Sequence, residues 1–386
     1  MVPKGWRLVD AQEICHSISV GVVIKPSQYY VPESEGVKAF RSANVREGYI
    51  NDNDWVYFSK EGHELNKKSQ LKTGDVLIVR TGYPGTACVV TPEFEGANAI
   101  DIVIARPDKN QVVSEYLCDY TNSHIGKSQV LNLQGGMAQK HLNVGAYQVL
   151  KIKLPPLSEQ KKIAQILSTW DQAITTTERL LDLARRQKKA LIQQLLTGKK
   201  RFSGFEGEWE TVKLGSIFSR VTTRNDGQSE NVVTISGQQG LIRQNEYFNR
   251  TVASETLDNY FLIKKGQFAY NKSYSMGYPM GAIKRLNRYK DGVVTTLYIC
   301  FELAAKDKAD GNFFEHYFES GLLNIGLTQI AHEGGRAHGL LNVKPADFFD
   351  LKVPLPTHAE QVQIAATLTA ADQEVADILS FLESLQ

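Results

Sequence analysis

The feature that most constrains this chain is an internal repeat of roughly 200 residues. Six anchors recur in the same order, each 192 to 203 residues further along the 386-residue chain. They are Trp6 and Trp209, Gly48 and Gly240, Gly74 and Gly266, the Gly-Tyr-Pro tripeptides at 82–84 and 277–279, GGMAQKHLNV at 135–144 with GGRAHGLLNV at 334–343, and Glu159-Gln160 with Glu360-Gln361. Because dissimilar residues fill the intervals between anchors, the repeat predicts one scaffold used twice with two different recognition surfaces.

Each repeat changes its pattern at a proline cluster. Before the cluster, short β-branched and aromatic runs alternate with Gly, Asn and Asp, which predicts strands joined by turns. After Pro155-Pro156 and Pro356 the pattern becomes helical, with Ser158 and Thr357 as expected N-caps. The predicted fold class is α+β, with recognition domains over 1–157 and 203–354, a central helix over 158–202 and a C-terminal helix over 355–386.

Both helices carry an apolar stripe in alternating steps of four and three residues, which predicts a coiled-coil seam. Thr177 and Lys188 interrupt the first stripe, either to set the register or because they lie beyond the paired stretch. The residues expected to pack the helices together are Ile163, Leu167, Trp170, Ile174, Leu181, Ile364, Leu368, Val375, Ile378 and Leu382.

Charge favours pairing of these helices with each other. Residues 158–201 hold ten basic and four acidic side chains, whereas residues 357–386 hold five acidic side chains and no Lys or Arg. Opposite charge directs the choice of partner more than it stabilises the pair. Two solvated helix faces of opposite sign remain the alternative interpretation.

The composition excludes several classes of protein. The chain is 42% hydrophobic and 22% charged, which is ordinary for a globular protein, and its net charge is only +2. Any nucleic-acid role must therefore depend on local patches or on partners. Its four cysteines form no two-residue spacing typical of a zinc or redox site, so no metal site is predicted. The sequence shows no signal peptide and no membrane span, so a cytoplasmic location is expected.

The sequence offers no catalytic motif. Gly126-Lys127-Ser128 resembles the end of a phosphate loop, but Thr121 stands where its first glycine belongs. The run Asp350-Leu351-Lys352 resembles half of a nuclease motif and fits better as the last strand before a helix. No nucleophile and base pair can be assigned, so no catalytic residue is predicted in this chain.

Polar and aromatic side chains that suit nucleic acid concentrate around the repeat anchors. Arg and Lys suit guanine edges and phosphates, and Asn and Gln suit adenine. The candidate DNA-binding residues are Arg41, Asn44, Arg46, Arg80, Gln134, Gln139 and Lys140 in the first repeat, and Arg243, Asn271, Lys272, Tyr274, Arg336 and His338 in the second.

The segments PPLSEQKKIAQILSTWDQAI at 155–174 and PLPTHAEQVQIAATLTAADQEV at 354–375 each close a variable unit that ends in Leu-Asn-Val. Over its full length the chain resembles the specificity subunits of type I restriction-modification systems. The resemblance implies two target-recognition domains, each reading half of an interrupted DNA site. It also implies long helices that pack as an antiparallel coiled coil and dock methyltransferase subunits. The two recognition domains are expected to be related by a pseudo-twofold axis.

The resemblance also implies where catalysis occurs. The chain would be non-catalytic and would hold no cofactor. Methyltransferase subunits would methylate adenine N6 with S-adenosylmethionine, and restriction and translocase subunits would use ATP and Mg. Half-sites of a few base pairs, roughly one helical turn or about 10 base pairs apart, are expected on double-stranded DNA.

The second repeat ends early, because Gln386 corresponds to Arg185 of the first. This puts in doubt two equivalent docking surfaces for methyltransferase subunits. Two further interpretations remain open: a coiled-coil scaffold that displays two β-rich domains to protein or glycan ligands, and an enzyme that acts on its own.

Overall fold

The computed structural model describes residues 2–133, 141–248, 257–333 and 341–385. The chain divides into two compact units, Met1–Ala173 and Ile174–Gln386. One helix, α5, runs from the first unit into the second.

The first unit contains twelve strands and four helices before α5 among its described residues. The strands are β1 (Arg7–Asp10), β2 (Cys15–Val20), β3 (Tyr30–Val31), β4 (Gly36–Phe40), β5 (Val45–Arg46), β6 (Tyr49–Ile50), β7 (Val56–Ser59), β8 (Val76–Val79), β9 (Ala87–Val89), β10 (Asn98–Ala99), β11 (Ile102–Pro107) and β12 (Lys151–Leu154). The helices are α1 (Lys60–Leu65), α2 (Ser114–Asn122), α3 (His124–Asn132), α4 (Val144–Gln148) and α5 (Leu157–Leu195).

The centre of the first unit is a four-stranded antiparallel sheet in the order β2-β11-β8-β9. Both of its faces are covered. Val76 and Ile78 pack on the side of α2 and α4, whereas Leu77 and Val79 pack with Phe40. A strand buried on both faces is apolar at every position rather than at alternate positions, which explains the run VLIV in β8. A second sheet has the order β10-β4-β7-β3, and β1 pairs with β12.

The second unit repeats this plan. Its described strands are β13 (Glu210–Lys213), β14 (Phe218–Val221), β15 (Val233–Ser236), β16 (Gly240–Arg243), β17 (Phe261–Lys264), β18 (Phe268–Asn271), β19 (Ala282–Arg285), β20 (Asp291–Val294), β21 (Ile299–Leu303), β22 (His332–Glu333), β23 (Leu341–Asn342) and β24 (Lys352–Leu355). Its helices are α6 (Leu214–Ile217), α7 (Gln244–Phe248), α8 (Gly311–Glu319), α9 (Asn324–Ile330), α10 (Pro345–Phe349) and α11 (His358–Leu385).

Corresponding elements share their pairing in the two units. The sheet β14-β21-β18-β19 matches β2-β11-β8-β9, and β13 pairs with β24 as β1 pairs with β12. Phenylalanines fill one face of the second sheet, where the rings of Phe268 and Phe301 stack with centroids 5.3 Å apart. The duplication predicted from the anchors is therefore present in the backbone topology.

A buried glutamine fixes the start of each long helix. The Gln160 side chain donates from Nε2 to the carbonyls of Gln111 (3.0 Å) and Pro155 (2.8 Å), and its Oε1 accepts from the amide of Val113 at 2.8 Å. Gln361 repeats the arrangement with the carbonyls of Lys308 and Pro356 and the amide of Asp310. Both glutamines are fully buried. The Glu-Gln signature thus attaches each long helix to the β-sheet domain that precedes it.

In the second unit, the second half of α5 packs antiparallel against α11. Leu195 shares a core cluster with Ile364 and Leu368. Lys188, which lies nearer the start of α5 than Leu195, pairs with Asp372, which lies nearer the end of α11 than Leu368. Thr177 is 5% exposed, so both interruptions of the stripe lie within the paired stretch. Leu181, Ile364, Leu368 and Leu382 are buried, and Ile163, Ile174, Val375 and Ile378 are half-buried.

Two of the predicted packing residues are not packed. Leu167 and Trp170, on the first half of α5, are 41% and 49% exposed. The expectation that they lie in a covered seam is wrong for the described residues. This exposure differs from that in the second unit, where their counterparts Leu368 and Ala371 are 0% and 8% exposed.

Candidate nucleic-acid interface

In the first unit, the candidate residues around the β5–β6 hairpin have different roles. Asn44 is fully buried, and its Nδ2 donates to the carbonyls of Asn51 (3.2 Å) and Asn53 (2.8 Å). Its Oδ1 accepts from the backbone amide of Arg41 at 2.9 Å. All of these bonds are internal, so the prediction that Asn44 contacts a base is wrong, and the residue instead shapes the loop.

At this hairpin, Arg41 and Arg46 are partly exposed and can contact a ligand. Arg41 forms an ion pair with Asp54 at 2.9 Å, and its buried Nε has no hydrogen-bond partner among the described residues. Arg46 donates from Nη1 to the carbonyls of Val45 (2.9 Å) and Ser42 (3.3 Å). Those bonds hold the guanidinium in place beside Tyr49, which is exposed at the hairpin. Arginines oriented in this way suit phosphate or guanine.

Arg80 is an internal residue. It is 9% exposed, its Nε donates to the Leu142 carbonyl at 3.1 Å, and its Nη atoms contact Asp101 and His141. Because Asp101 balances the charge and burial removes it from solvent, the prediction that Arg80 contacts DNA is wrong. It anchors the segment that begins at His141 to the end of β8.

Lys272 occupies the equivalent place in the second unit. The Arg80 carbonyl accepts from the Leu142 amide at 2.9 Å, and the Lys272 carbonyl accepts from the Leu341 amide at 2.9 Å. The Lys272 ammonium has no ion pair or hydrogen bond among the described residues, and burial together with the nearby Arg220 lowers its pKa. A half-buried cation without a local anion is suited to receive one from a ligand.

The loop that follows Lys272 exposes two large apolar side chains. The Asn271 side chain begins it by accepting from the Ser273 amide at 3.1 Å. Tyr274 is 64% exposed and Met276 is 93% exposed. In the first unit the equivalent loop exposes Tyr83. Exposed aromatic side chains beside cations are typical of surfaces that stack on bases or contact the thymine methyl.

A second hairpin, β15–β16, lies beside this loop. Tyr278 Oη and Lys284 Nζ both donate to the Gly237 carbonyl at 2.7 Å, which fixes the hairpin turn. Gln238 and Gln239 are exposed at that turn. They line a polar cleft of about 540 Å3, whose wall includes Lys284 and Arg285 paired with Glu319 and Glu315.

The other predicted residue of this region, Arg243, is held at the end of β16. Its guanidinium lies 5.2 Å from the centre of the Tyr289 ring, and its Nε donates to Asn231 Oδ1 at 3.1 Å. The remaining candidates lie outside the described residues. They are Gln134, Gln139, Lys140, Arg336 and His338.

Several exposed residues were not predicted from the sequence. Tyr49, Tyr83, Arg220, Gln238, Gln239 and Met276 belong to this group. Tyr83 and the two glutamines do have a sequence signal, because they stand inside or next to the repeated anchors Gly-Tyr-Pro and Gly240. Arg220 and Met276 have none.

The motif-like fragments are structural. Lys127 lies on α3 and pairs with Glu47, and Asp350 pairs with Lys213 at 2.8 Å just before β24. Burial raises the pKa of the Cys15, Cys88 and Cys300 thiols to about 12, which disfavours the thiolate form. No described helix is long and apolar enough to cross a membrane.

The fold and these surfaces define a class: a protein with two copies of one β-sheet domain, each presenting different polar and aromatic side chains. A family described as the type I restriction modification DNA specificity domain matches residues 3–184. Residues 3–184 are therefore similar to the DNA specificity domains of type I restriction-modification systems.

Relatives and solved structures extend the match over the whole chain. A protein of Methanocaldococcus jannaschii assigned as the MjaX specificity subunit is 24% identical, covering 96% of this chain and 88% of that protein. The EcoKI specificity subunit of Escherichia coli is 24% identical over 59% of this chain and 51% of its own length. The HsdS subunit from Thermoanaerobacter tengcongensis shares 17% identity with a TM-score of 0.54, covering 100% of this chain and 94% of that one. The S subunit from M. genitalium shares 12% with a TM-score of 0.57, covering 100% and 93%. The predicted α+β fold class is confirmed.

Proposed function

We propose that this chain reads an interrupted DNA site, with one half of the site contacted by each recognition domain. The observation that carries the proposal is the pairing of a common scaffold with different exposed side chains at equivalent places. Arg80 is neutralised internally, whereas Lys272 has no anionic partner among the described residues. A duplicated fold with unlike surfaces suits two unlike half-sites.

The DNA-contacting residues we assign are those that keep exposed donors or rings. In the first unit they are Arg41, Arg46, Tyr49 and Tyr83, and in the second Arg220, Gln238, Gln239, Arg243, Lys272 and Tyr274. The buried Asn44 and Arg80 are left out. The candidates at 134–140 and 334–340 stay predictions, as do the boundaries of the recognition domains.

Catalysis is assigned to partner subunits. A methyltransferase subunit would use S-adenosylmethionine to methylate adenine, and a restriction subunit would use ATP and Mg to translocate and cleave DNA. The chain itself would act in the cytoplasm as the part that selects the sequence. Its weak net charge of +2 agrees with a division in which partners supply much of the phosphate contact.

The test compares the purified chain with its complex. Fluorescence anisotropy on duplexes from a methylome-defined site should show weak binding by the free chain and selective binding by the complex with a methyltransferase subunit. Incubating the chain alone with DNA, S-adenosylmethionine, ATP and Mg should yield no product. A methylated base formed by the chain alone, or tight selective binding by the free chain at physiological salt, would contradict the proposal.

A further inference from the structure

A row of hydrogen bonds runs from Arg80 to the loop that follows β8 in the first unit. An Nη atom of Arg80 contacts Nε2 of His141, and Nδ1 of the same ring lies 2.9 Å from the hydroxyl oxygen of Thr81. The backbone holds these residues together, because Thr81 and His141 form an isolated β-bridge and the Leu142 amide donates to the Arg80 carbonyl at 2.9 Å.

The direction of each hydrogen bond in this row follows from Arg80. A guanidinium group only donates, so Nε2 of His141 accepts and carries no hydrogen. The hydrogen of the neutral ring therefore lies on Nδ1, which donates to the Thr81 oxygen. The hydroxyl hydrogen of Thr81 has no acceptor among the described residues. Thr81 thus keeps one hydrogen that it can donate to a ligand.

Internal contacts fix Arg80 at the start of the row. Its Nε donates to the Leu142 carbonyl at 3.1 Å, and a guanidinium nitrogen pairs with Asp101. Asp101 has a φ of 49°, in the left-handed region that residues other than glycine seldom adopt. Such a backbone conformation is found mainly where a side chain must be held in one place. Arg80 cannot turn away from His141 without losing these contacts.

The other end of the row lies on an exposed loop. Thr81 is exposed, and Tyr83 on the same loop is 83% exposed. The Gly85 amide donates to the Val79 carbonyl at 3.0 Å, which closes the loop. Gly82, between Thr81 and Tyr83, has a φ of 90° and supplies the left-handed turn. A hydroxyl donor and an aromatic ring are therefore presented together on one fixed turn.

Hydrogen bonds that run in one direction polarise one another. Here the Arg80 cation donates first, the His141 ring second and the Thr81 hydroxyl last. The positive charge at the start makes the hydroxyl a better donor, so the exposed end favours a partner with lone pairs. On double-stranded DNA, such partners are phosphate oxygens and acceptor atoms on the base edges.

We infer that the Thr81 hydroxyl donates a hydrogen bond to an acceptor atom of DNA, and that His141 is a positioning residue that orients this hydroxyl. The inference rests on the proposed function, since it adds one contact to the first recognition domain. It also gives the buried Arg80 a role at the interface, exerted through His141. At the equivalent place in the second unit, Lys272 forms no hydrogen bond among the described residues, so we assign the contact to the first half-site.

The test uses the full chain in complex with a methyltransferase subunit, and a duplex that carries the methylome-defined site. Thr81→Val removes the hydroxyl at nearly constant shape and should weaken binding about fivefold, measured by anisotropy. Thr81→Ser keeps the hydroxyl and should bind within about twofold of wild type. The matched control is Thr91→Val, which should leave binding unchanged because Thr91 is exposed beyond the other end of β9.

A double-mutant cycle tests the role of His141. His141→Phe removes both ring nitrogens and should weaken binding about threefold in the otherwise wild-type chain. It should have no further effect in a chain that already carries Thr81→Val, because His141 acts through that hydroxyl. An equal loss in both chains would mean that His141 is only structural and would overturn its positioning role.

Modified duplexes identify the acceptor. Single phosphates are replaced by methylphosphonates, and single base acceptors by 7-deazapurines or thiocarbonyl bases. One such replacement should weaken binding by the wild-type complex and leave Thr81→Val unaffected, and its position assigns the contact to the backbone or to a base edge. Equal binding by wild type and Thr81→Val would overturn the inference, although the proposed function would stand if the complex still selected its site. Loss of site selection by the wild-type complex would instead contradict the proposed function.

Discussion

Asp119 on α2 and His316 on α8 are each the sixth residue of equivalent helices, and each lies near an aspartate of a long helix. In the first unit Asp119 is near Asp171, so two like charges meet. In the second unit His316 contacts Thr369 (3.0 Å) and Asp372 (3.7 Å), and Lys188 pairs with the same aspartate.

The two units also differ in charge at the ends of their central sheets. Arg80 is paired with Asp101, whereas Lys272 has no anionic partner among the described residues. Backbone topology and the buried glutamines are alike in the two units, whereas charged side chains at equivalent places differ. Packing thus preserves the scaffold, while charge distinguishes what each unit binds.

The largest effect is expected at the glutamine common to both units. Gln361→Ala removes three hydrogen bonds and leaves the carbonyls of Lys308 and Pro356 and the amide of Asp310 without partners. The free energy of unfolding should fall by about 3 kcal/mol or more. Gln160→Ala should cost a similar amount. Thermal or urea unfolding checks this, with the exposed Gln363→Ala as control. A loss in only one unit would mean that the scaffold is not shared.

Arg80 and Lys272 should separate stability from surface function. Arg80→Ala should lower the free energy of unfolding by about 2 kcal/mol, because it leaves Asp101 and the Leu142 carbonyl without their buried donor. Lys272→Ala should change it by less than about 0.5 kcal/mol. Urea unfolding of both variants measures the difference. Equal losses would show that the two positions have the same structural role.

Lys272 should matter for DNA instead. In the assembled complex, Lys272→Ala should weaken binding to the specific duplex about fivefold and lower the slope of log K against log salt by about 1. Anisotropy titrations at several salt concentrations measure both quantities. Lys306→Ala, an exposed lysine outside the interface, is the control. An unchanged salt slope would remove Lys272 from the interface.

The smallest effect is a difference in pH dependence. Burial first, and then Asp171 and Glu115, raise the pKa of Asp119 from 3.8 to about 6. Its contribution to stability is therefore complete below pH 3.8 and is lost as the pH rises through about 6. Asp119→Asn should gain stability relative to wild type between pH 5 and 7, measured by unfolding at each pH. The exposed Asp307→Asn is the control.

The sign should reverse at the equivalent residue of the second unit. Burial lowers the pKa of His316 below 6.5, although Asp372 opposes the shift. The stability that the neutral ring contributes is present above pH 6.5 and is lost as the pH falls. His316→Gln should therefore be less sensitive than wild type to a fall from pH 7 to pH 5. Parallel behaviour of both variants would contradict the contrast between the units.

The sequence predicted the scaffold well because its signals are local or repeated. The apolar stripes of the two long helices recur with an offset of 201 residues, and this predicted that the helices pack together. Lys188 interrupts the stripe because it pairs with Asp372. The Glu-Gln signature was recognisable as a pattern. Its role was not, because the partners of Gln160 are backbone groups at Gln111 and Val113, far away in the sequence.

The interface was harder to predict, since a polar residue near a repeated anchor can face inwards. Asn44 and Arg80 have side chains that suit bases, but their partners are the carbonyls of Asn53 and Leu142 and the carboxylate of Asp101. Only the fold brings these groups together. In the same way, the exposure of Met276 depends on the conformation of its loop rather than on its neighbours in sequence.

The central claim is that each recognition domain reads one half of the site. Its most direct test exchanges residues 203–354 for the corresponding unit of another specificity subunit and sequences the methylome of cells that also express the methyltransferase. The account predicts a site in which one half is new and the other half is retained. A change in both halves, or in neither, would contradict it.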